Sequence, residues 1–80
     1  MTNTEQKLRE IVAKVLLLGV SDVKDSINRK NTETWDSLAH LMLINEVESI
    51  FDVAFSDDDI ISINTIGDLK QKMRSLGVEI

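Results

Sequence analysis

The N-terminal part of the chain repeats apolar residues at the spacing of one helical face. The repeat falls at positions i, i+3, i+4, i+7 and i+8, and its members are Leu8, Ile11, Val12, Val15 and Leu16. This spacing predicts a first helix over roughly residues 4–17. Thr2 and Glu5 have the spacing of a capping box that would begin this helix, and Gly19 would end it.

A long polar connection follows over residues 19–36. A connection of this length in a small domain is usually functional or includes a short turn of its own. We expect its large apolar side chains to hold it against the helices, and these are Val20, Val23, Ile27 and Trp35.

A second helix is predicted from Asp36 and Ser37 to about Phe51, and it is apolar on two faces. One face should enter the core through Leu43, Ile44, Val47, Ile50 and Phe51. The other face, called the Leu38 face below, consists of Leu38, Leu41 and Met42. Two interpretations of the Leu38 face are open: the long connection covers it, or it is an exposed docking surface beside Ser37.

Capping residues mark two further helices. Ser56 would cap a short helix whose first turn, residues 57–59, is entirely aspartate and suits the positive end of the helix dipole. Thr65 and Asp68 would begin a final helix that ends before Gly77. The apolar stripe of this helix is Ile66, Leu69, Met73 and Leu76.

No segment alternates apolar and polar residues over the length of a strand. The predicted fold class is therefore all-α: a small bundle of three main helices plus one short helix, with a long loop between helices one and two. The chain has 80 residues, of which 42% are hydrophobic and 29% charged, and this composition fits a single domain over residues 1–80.

Charge and composition narrow the range of functions. Nine Lys and Arg against fourteen Asp and Glu give a net charge of −5, which argues against nucleic acids and anionic membranes as partners. The absence of cysteine excludes disulfides and thiolate metal sites. The N-terminus lacks the basic start and apolar run of a signal peptide, so we expect a soluble, cytoplasmic protein without membrane insertion. A domain this small suits binding or carrying better than housing a catalytic cleft, so we expect no enzyme.

Ser37 is the strongest candidate for chemistry, because it lies where a loop becomes a helix. Unpaired backbone N–H groups at a helix start favour an anion, such as a phosphate attached to that hydroxyl. The alternative is that Ser37 or Asp36 is merely the N-cap. His40 is poorly placed as a base for Ser37, and the aspartates at 57–59 lack the pattern of a calcium-binding loop. We therefore expect no catalytic residue and no metal site.

The triplet D-S-L at 36–38 opens a helix that ends E-S-I-F-D at 48–52, and this pattern resembles the centre of an acyl carrier protein. S-D-D-D-I at 56–60 and I-N-T-I-G-D-L at 63–69 are similar to the third and fourth helices of that family. The first helix and L-G-V at 18–20 also match in character and spacing. The resemblance covers nearly the whole chain in the family's order.

The resemblance implies that Ser37 carries 4′-phosphopantetheine, added from coenzyme A by a phosphopantetheinyl transferase. The thiol of that arm would hold acyl groups as thioesters for enzymes that dock through basic surfaces, and we expect a monomer. The residues implied in partner recognition are Asp36, Leu38, Leu41, Met42, Glu48, Asp57 and Asp58. His40 and Ile44 would line the mouth of an acyl cavity.

Three positions depart from the fatty-acid carriers of this family. Those carriers tend to have acidic residues where Ala39 and Met42 stand, and a smaller residue where Trp35 stands. W-D-S-L followed by A-H-L is similar to discrete carriers of specialised pathways. We therefore expect a role in fatty acid, polyketide or related biosynthesis, and favour a dedicated carrier. An aminoacyl or peptidyl carrier and an unmodified helical interaction module remain open as alternatives.

Overall fold

The computed structural model describes residues 3–80 and contains four α-helices. Their bounds are α1 Asn3–Leu16, α2 Ser37–Phe51, α3 Asp57–Ser62 and α4 Ile66–Ser75. Residues 3–80 contain no strand, and an isolated bridge joins Asn28 to Thr65. None of the helices described is both long enough and apolar enough to cross a bilayer. The predicted all-α class is confirmed, with three main helices, one short helix and a long loop between α1 and α2.

The end of α1 differs from the prediction. At its predicted start, Thr2 of the capping box lies outside the described residues. Leu17 follows α1 in a left-handed conformation with φ of 57°, and the Leu18 N–H donates to the Ala13 carbonyl at 2.9 Å. Gly19 is extended and begins the next turn, so the prediction that it ends the helix is wrong. A left-handed conformation costs a residue with a side chain about 1–2 kcal/mol. For this reason the prediction placed the end of the helix at the glycine.

One hydrophobic core joins the helices and the long loop. Three of the predicted core residues of α2 are fully buried, and these are Leu43, Ile44 and Val47. Phe51 is half-buried, and Ile50 is 49% exposed, so the assignment of Ile50 to the core is wrong. Ile50 borders a groove between α1 and α2. On the other side of this groove α1 presents the polar side chains of Lys7 and Lys14, so Ile50 stays in contact with solvent.

Most other predicted packing residues are buried or half-buried: Val23, Ile27, Trp35, Ile66, Leu69 and Met73. Val20 and Leu76 are 38% and 40% exposed, so their predicted packing is wrong. Val20 begins a 3-10 turn of the loop, Val20–Asp22, and Leu76 lies just beyond the last residue of α4. Neither residue lies within an α-helix, so neither belongs to an apolar helical face that packs into the core.

Ser56 and Thr65 cap α3 and α4, as the sequence predicts, and both helices begin with a complete capping box. The Asp59 N–H donates to the Ser56 hydroxyl at 3.1 Å, and the Ser56 N–H donates to the Asp59 carboxylate at 3.3 Å. Thr65 and Asp68 form the same arrangement before α4. Gly77 has a φ of 94° just past α4, which confirms that it ends this helix.

The central part of the long loop is hydrogen-bonded to the start of α4. Three backbone bonds join the two segments: Arg29 N–H to the Asn64 carbonyl at 2.9 Å, Ile66 N–H to the Ile27 carbonyl at 3.2 Å, and Gly67 N–H to the Asp25 carbonyl at 2.9 Å. The loop is thus positioned by α4, which is distant in sequence.

A buried lysine adds a side-chain connection between the same segments. Lys70 of α4 is 7% exposed and contacts the carboxylates of Glu5 and Asp25. Burial lowers the pKa of Lys70, but the hydrogen bonds that it donates to Asp25 and Glu5 outweigh burial and raise the pKa above its usual value. α1, the loop and α4 therefore meet at one charged cluster.

Candidate functional site

Asp36 and Ser37 have different roles at the start of α2. The Asp36 carboxylate accepts a hydrogen bond from the Ala39 N–H at 2.8 Å, so Asp36 is the N-cap. Ser37 is the first residue of the helix, it is exposed, and none of the hydrogen bonds among residues 3–80 involves its hydroxyl. The geometry therefore excludes the interpretation in which Ser37 is only a cap.

The start of α2 also provides a favourable field for an anion on Ser37. The first N–H groups of a helix have no partner within the helix, and the aligned peptide dipoles place partial positive charge there. In α2 the Ala39 N–H binds the Asp36 side chain and the His40 N–H binds the Asp36 carbonyl at 2.9 Å. The N–H groups of Ser37 and Leu38 have no helical acceptor and lie next to the exposed hydroxyl.

A shallow cleft of about 470 Å³ contains Ser37. Its lining residues come from the loop, the start of α2 and the segment before α4: Arg29, Lys30, Trp35, Asp36, Ser37 and Asn64. Arg29 and Lys30, called the basic turn below, belong to the 3-10 turn Arg29–Asn31. Sequence reasoning missed the basic turn. Two adjacent cations in a chain of net charge −5 were the available signal.

The Leu38 face is exposed to solvent. Leu38, Leu41 and Met42 are 69%, 53% and 48% exposed, so the long loop does not cover them. The interpretation in which the loop covers this face is therefore wrong, and its role as a docking surface beside Ser37 stays a prediction.

The acidic residues predicted to contact partners lie in different environments. Asp57 and Asp58 are exposed at the start of α3. Their neighbour Asp59 pairs with Lys72 at 2.9 Å, and the hydrogen bond from Lys72 is the main reason that the pKa of Asp59 is lowered. Glu48 is half-buried, and its carboxylate accepts a hydrogen bond from the Phe55 N–H at 2.8 Å. That bond holds the segment after α2, while contact of Glu48 with partners stays a prediction.

His40 is buried and fully hydrogen-bonded inside the protein. The Trp35 indole N–H donates to His40 Nδ1 at 3.0 Å, which makes Nδ1 an acceptor. Nε2 therefore carries the proton and donates to the Ile60 carbonyl at 2.8 Å. Burial is the main cause that lowers the pKa of His40, and the hydrogen bond to Ile60 opposes it. A ring with both nitrogens engaged in this way cannot take the proton of Ser37.

His40 and Ile44 are 4% and 1% exposed, so both lie in the interior between the helices. Their role at the mouth of an acyl cavity stays a prediction. Among residues 3–80, no three His, Cys, Asp or Glu side chains are grouped to hold a metal ion.

Comparison with known proteins is consistent with this geometry. Residues 6–72 match the protein family described as "Phosphopantetheine attachment site". The chain is also similar to a protein named acyl carrier protein from Buchnera aphidicola subsp. Schizaphis graminum (strain Sg). The two are 32% identical over 66 residues, which cover 82% of this chain and 84% of the relative.

The residues around Ser37 fit the phosphodiester that would link 4′-phosphopantetheine to the serine. The serine provides an exposed hydroxyl for the ester bond, and the helix start and the basic turn provide positive charge beside it.

Proposed function

This chain belongs to the acyl carrier protein family, whose members hold 4′-phosphopantetheine and are not themselves enzymes, and we propose that it carries acyl groups through Ser37. The observation that carries this proposal is the capping of α2 by Asp36, which leaves the Ser37 hydroxyl exposed and unbound.

Attachment requires a phosphoryl transfer to Ser37. The Ser37 oxygen bonds to the phosphorus of coenzyme A that bears the pantetheine, and the phosphoanhydride bond of coenzyme A breaks. Adenosine 3′,5′-bisphosphate leaves, and a base of the transferase accepts the hydroxyl proton. The chain itself needs no base, and His40 is engaged elsewhere.

When bound, the arm supplies a thiol that forms thioesters. The protein has no cysteine, so its own residues offer no competing thiol for the acyl group. Its contribution is to hold Ser37 at a fixed helix start and to present the surface that partners bind.

Two exposed features support the proposal of a surface that partners bind. The Leu38 face offers exposed apolar area, and Asp57 and Asp58 offer exposed negative charge. Apolar contact gives affinity, while the acidic residues accelerate encounters with basic enzymes without requiring tight binding. The proposed partners are a phosphopantetheinyl transferase and the enzymes that load and process the acyl group.

The pathway assignment is a finer proposal. Met42 is exposed on the Leu38 face at a position where fatty-acid carriers tend to have an acidic residue, so this face is more apolar than theirs, whereas Ala39 is buried and does not contribute to the surface. This difference supports a dedicated carrier of a specialised acyl or polyketide pathway.

Intact-mass measurement tests the attachment. Incubation of the apo-protein with coenzyme A and a promiscuous transferase should add one phosphopantetheine. Ser37→Ala should add none, whereas Ser49→Ala, which removes another exposed hydroxyl of α2, should load like the wild type. An unchanged wild-type mass would overturn the proposal.

Loading assays separate the alternatives. An aminoacyl or peptidyl carrier would accept amino acids from an adenylating enzyme and not accept acyl groups from acyl-loading enzymes. An unmodified interaction module would keep partner binding and cellular function in Ser37→Ala, whereas a carrier would lose its cellular function.

A further inference from the structure

The basic turn lies beside Ser37, and its two charges are not paired in salt bridges within the described part of the chain. Arg29 and Lys30 line the cleft that contains Ser37. Among residues 3–80, neither takes part in a salt bridge. Their charges are therefore available to an anion that enters the cleft.

The backbone of the basic turn is fixed by hydrogen bonds on both sides. The Asn28 side chain accepts from the Lys30 N–H at 2.8 Å, and the Asn28 carbonyl accepts from the Asn31 N–H at 3.1 Å. The Arg29 N–H donates to the Asn64 carbonyl at 2.9 Å. Only the two side chains would have to become ordered around an anion, which keeps the entropic cost of binding small.

The charge of the cleft matches one phosphodiester. Its lining includes two cations and the carboxylate of Asp36, and so has one net positive charge. A phosphodiester carries one negative charge and would neutralise it. Without the basic turn, the same phosphodiester on Ser37 would adjoin Asp36 in a protein of net charge −5.

We infer that the basic turn binds the phosphodiester of the group attached to Ser37 and directs the first part of the arm along the loop side of the cleft. This inference rests on the proposed function. Arg29 and Lys30 are then positioning residues, and the Leu38 face remains open to partners while the arm is attached.

The test uses the full chain in apo and holo forms, with ¹⁵N labelling that includes the arginine Nε–H groups. The variants are Arg29→Gln, Lys30→Gln and the double variant, and Lys7→Gln with Lys24→Gln is the charge-matched control. Lys7 and Lys24 do not line the cleft. Mass spectrometry first confirms loading of each protein, so failure to load wild-type Ser37 would count against the proposed function and not against this inference.

In the wild type, loading should shift the Arg29 Nε–H and the Lys30 amide as well as the start of α2. Each single variant should reduce the shift at the remaining cation at least twofold, and the double variant should abolish shifts in the turn while those of Leu38 persist. The control pair should behave like the wild type. Raising salt from about 0.05 to 0.5 M should weaken the turn shifts through screening.

Two results would overturn the inference. One is a set of loading shifts confined to α2 with the basic turn unchanged. The other is a double variant whose turn amides shift on loading as much as those of the wild type. If Arg29→Gln disturbs the apo spectrum, Arg29→Lys retains the charge and should retain the loading shift at Lys30.

Discussion

At the scale of single residues, the start of α2 separates two side chains that the sequence could not tell apart. Serine and aspartate are both common N-caps, so adjacency alone left open which of Asp36 and Ser37 fills that position. The hydrogen bond from the Ala39 N–H identifies Asp36 as the cap. Ser37 could be predicted as the site residue. That it does not cap the helix depends on side-chain geometry that no local sequence pattern encodes.

Removal of this cap should destabilise the protein. Asp36→Ala leaves the Ala39 N–H without its side-chain acceptor and should lower the free energy of unfolding by about 0.5–2 kcal/mol. Asp36→Asn keeps an acceptor oxygen, so it should lower the free energy of unfolding by only a few tenths of a kcal/mol. Urea unfolding measures both variants, and equal losses would show that the charge, not the cap, is responsible.

The buried histidine should make stability depend on pH. Burial lowers the pKa of His40 in the folded state below its ordinary value of 6.5, so the unfolded chain binds the proton more readily. The stabilisation from neutral His40 is complete above pH 6.5 and is lost as pH falls from there towards the lowered pKa. Urea midpoints between about pH 7.5 and 5 should therefore decrease with acidity.

His40→Gln is the control for this pH dependence, because it removes the titrating ring. The variant should be less stable at neutral pH, and its midpoint should change less over the same interval. Asp59 does not interfere, because its pKa is lowered from 3.8 and its contribution is lost only at more acidic pH. A wild-type midpoint that stays constant from pH 7.5 to 5 would contradict the assignment.

At the scale of elements, the two faces of α2 differ in what they contribute to stability. Leu43 is fully buried, so Leu43→Ala should cost about 2–5 kcal/mol. Ile50 is 49% exposed, and Ile50→Ala should cost clearly less, about 1 kcal/mol or below. Chemical denaturation of the two variants measures the difference. Similar losses would place Ile50 in the core after all.

Helix starts were predictable because capping boxes are local. Ser56 and Thr65 lie three residues before the aspartates that complete their boxes, and the pattern is visible in the sequence. The end of α1 could not be predicted in this way, because Leu17 adopts a left-handed conformation that leucine rarely takes. Ile50 was misassigned for another reason: its helical phase is that of the core, but the facing part of α1 is polar.

At the scale of the whole molecule, exposed acidic residues should govern the rate of encounter with basic enzymes. Neutralising Asp57 and Asp58 together, as Asp57→Asn with Asp58→Asn, should lower the kcat/KM of transferase loading severalfold at low salt. The effect should appear mainly in KM and shrink at high salt, because screening removes steering.

The matched control for this variant removes the same charge elsewhere. Glu10→Gln with Glu79→Gln alters two exposed carboxylates on α1 and at the C-terminal segment. It should change kcat/KM less than the α3 pair. Equal effects of the two pairs would mean that net charge alone, and not the position of the aspartates, sets the rate.

The cleft beside Ser37 shows what the sequence could not reveal at this scale. Arg29 precedes Ser37 by a stretch of polar loop, and the local hydrogen bonds of Asn28 shape the turn without placing it beside Ser37. The Asn64 carbonyl fixes it instead, through a hydrogen bond from a segment that lies far along the chain. A pairing of this kind becomes visible only once the helices have packed.

Trp35 is the only tryptophan, it is 2% exposed, and it contacts both His40 and the Ser37 cleft. Its fluorescence therefore reports on one place in the molecule. Protonation of His40 should quench the emission, and release of the loop should shift the emission to longer wavelength. The protein thus contains an intrinsic optical probe that can follow titration and modification in the unlabelled chain.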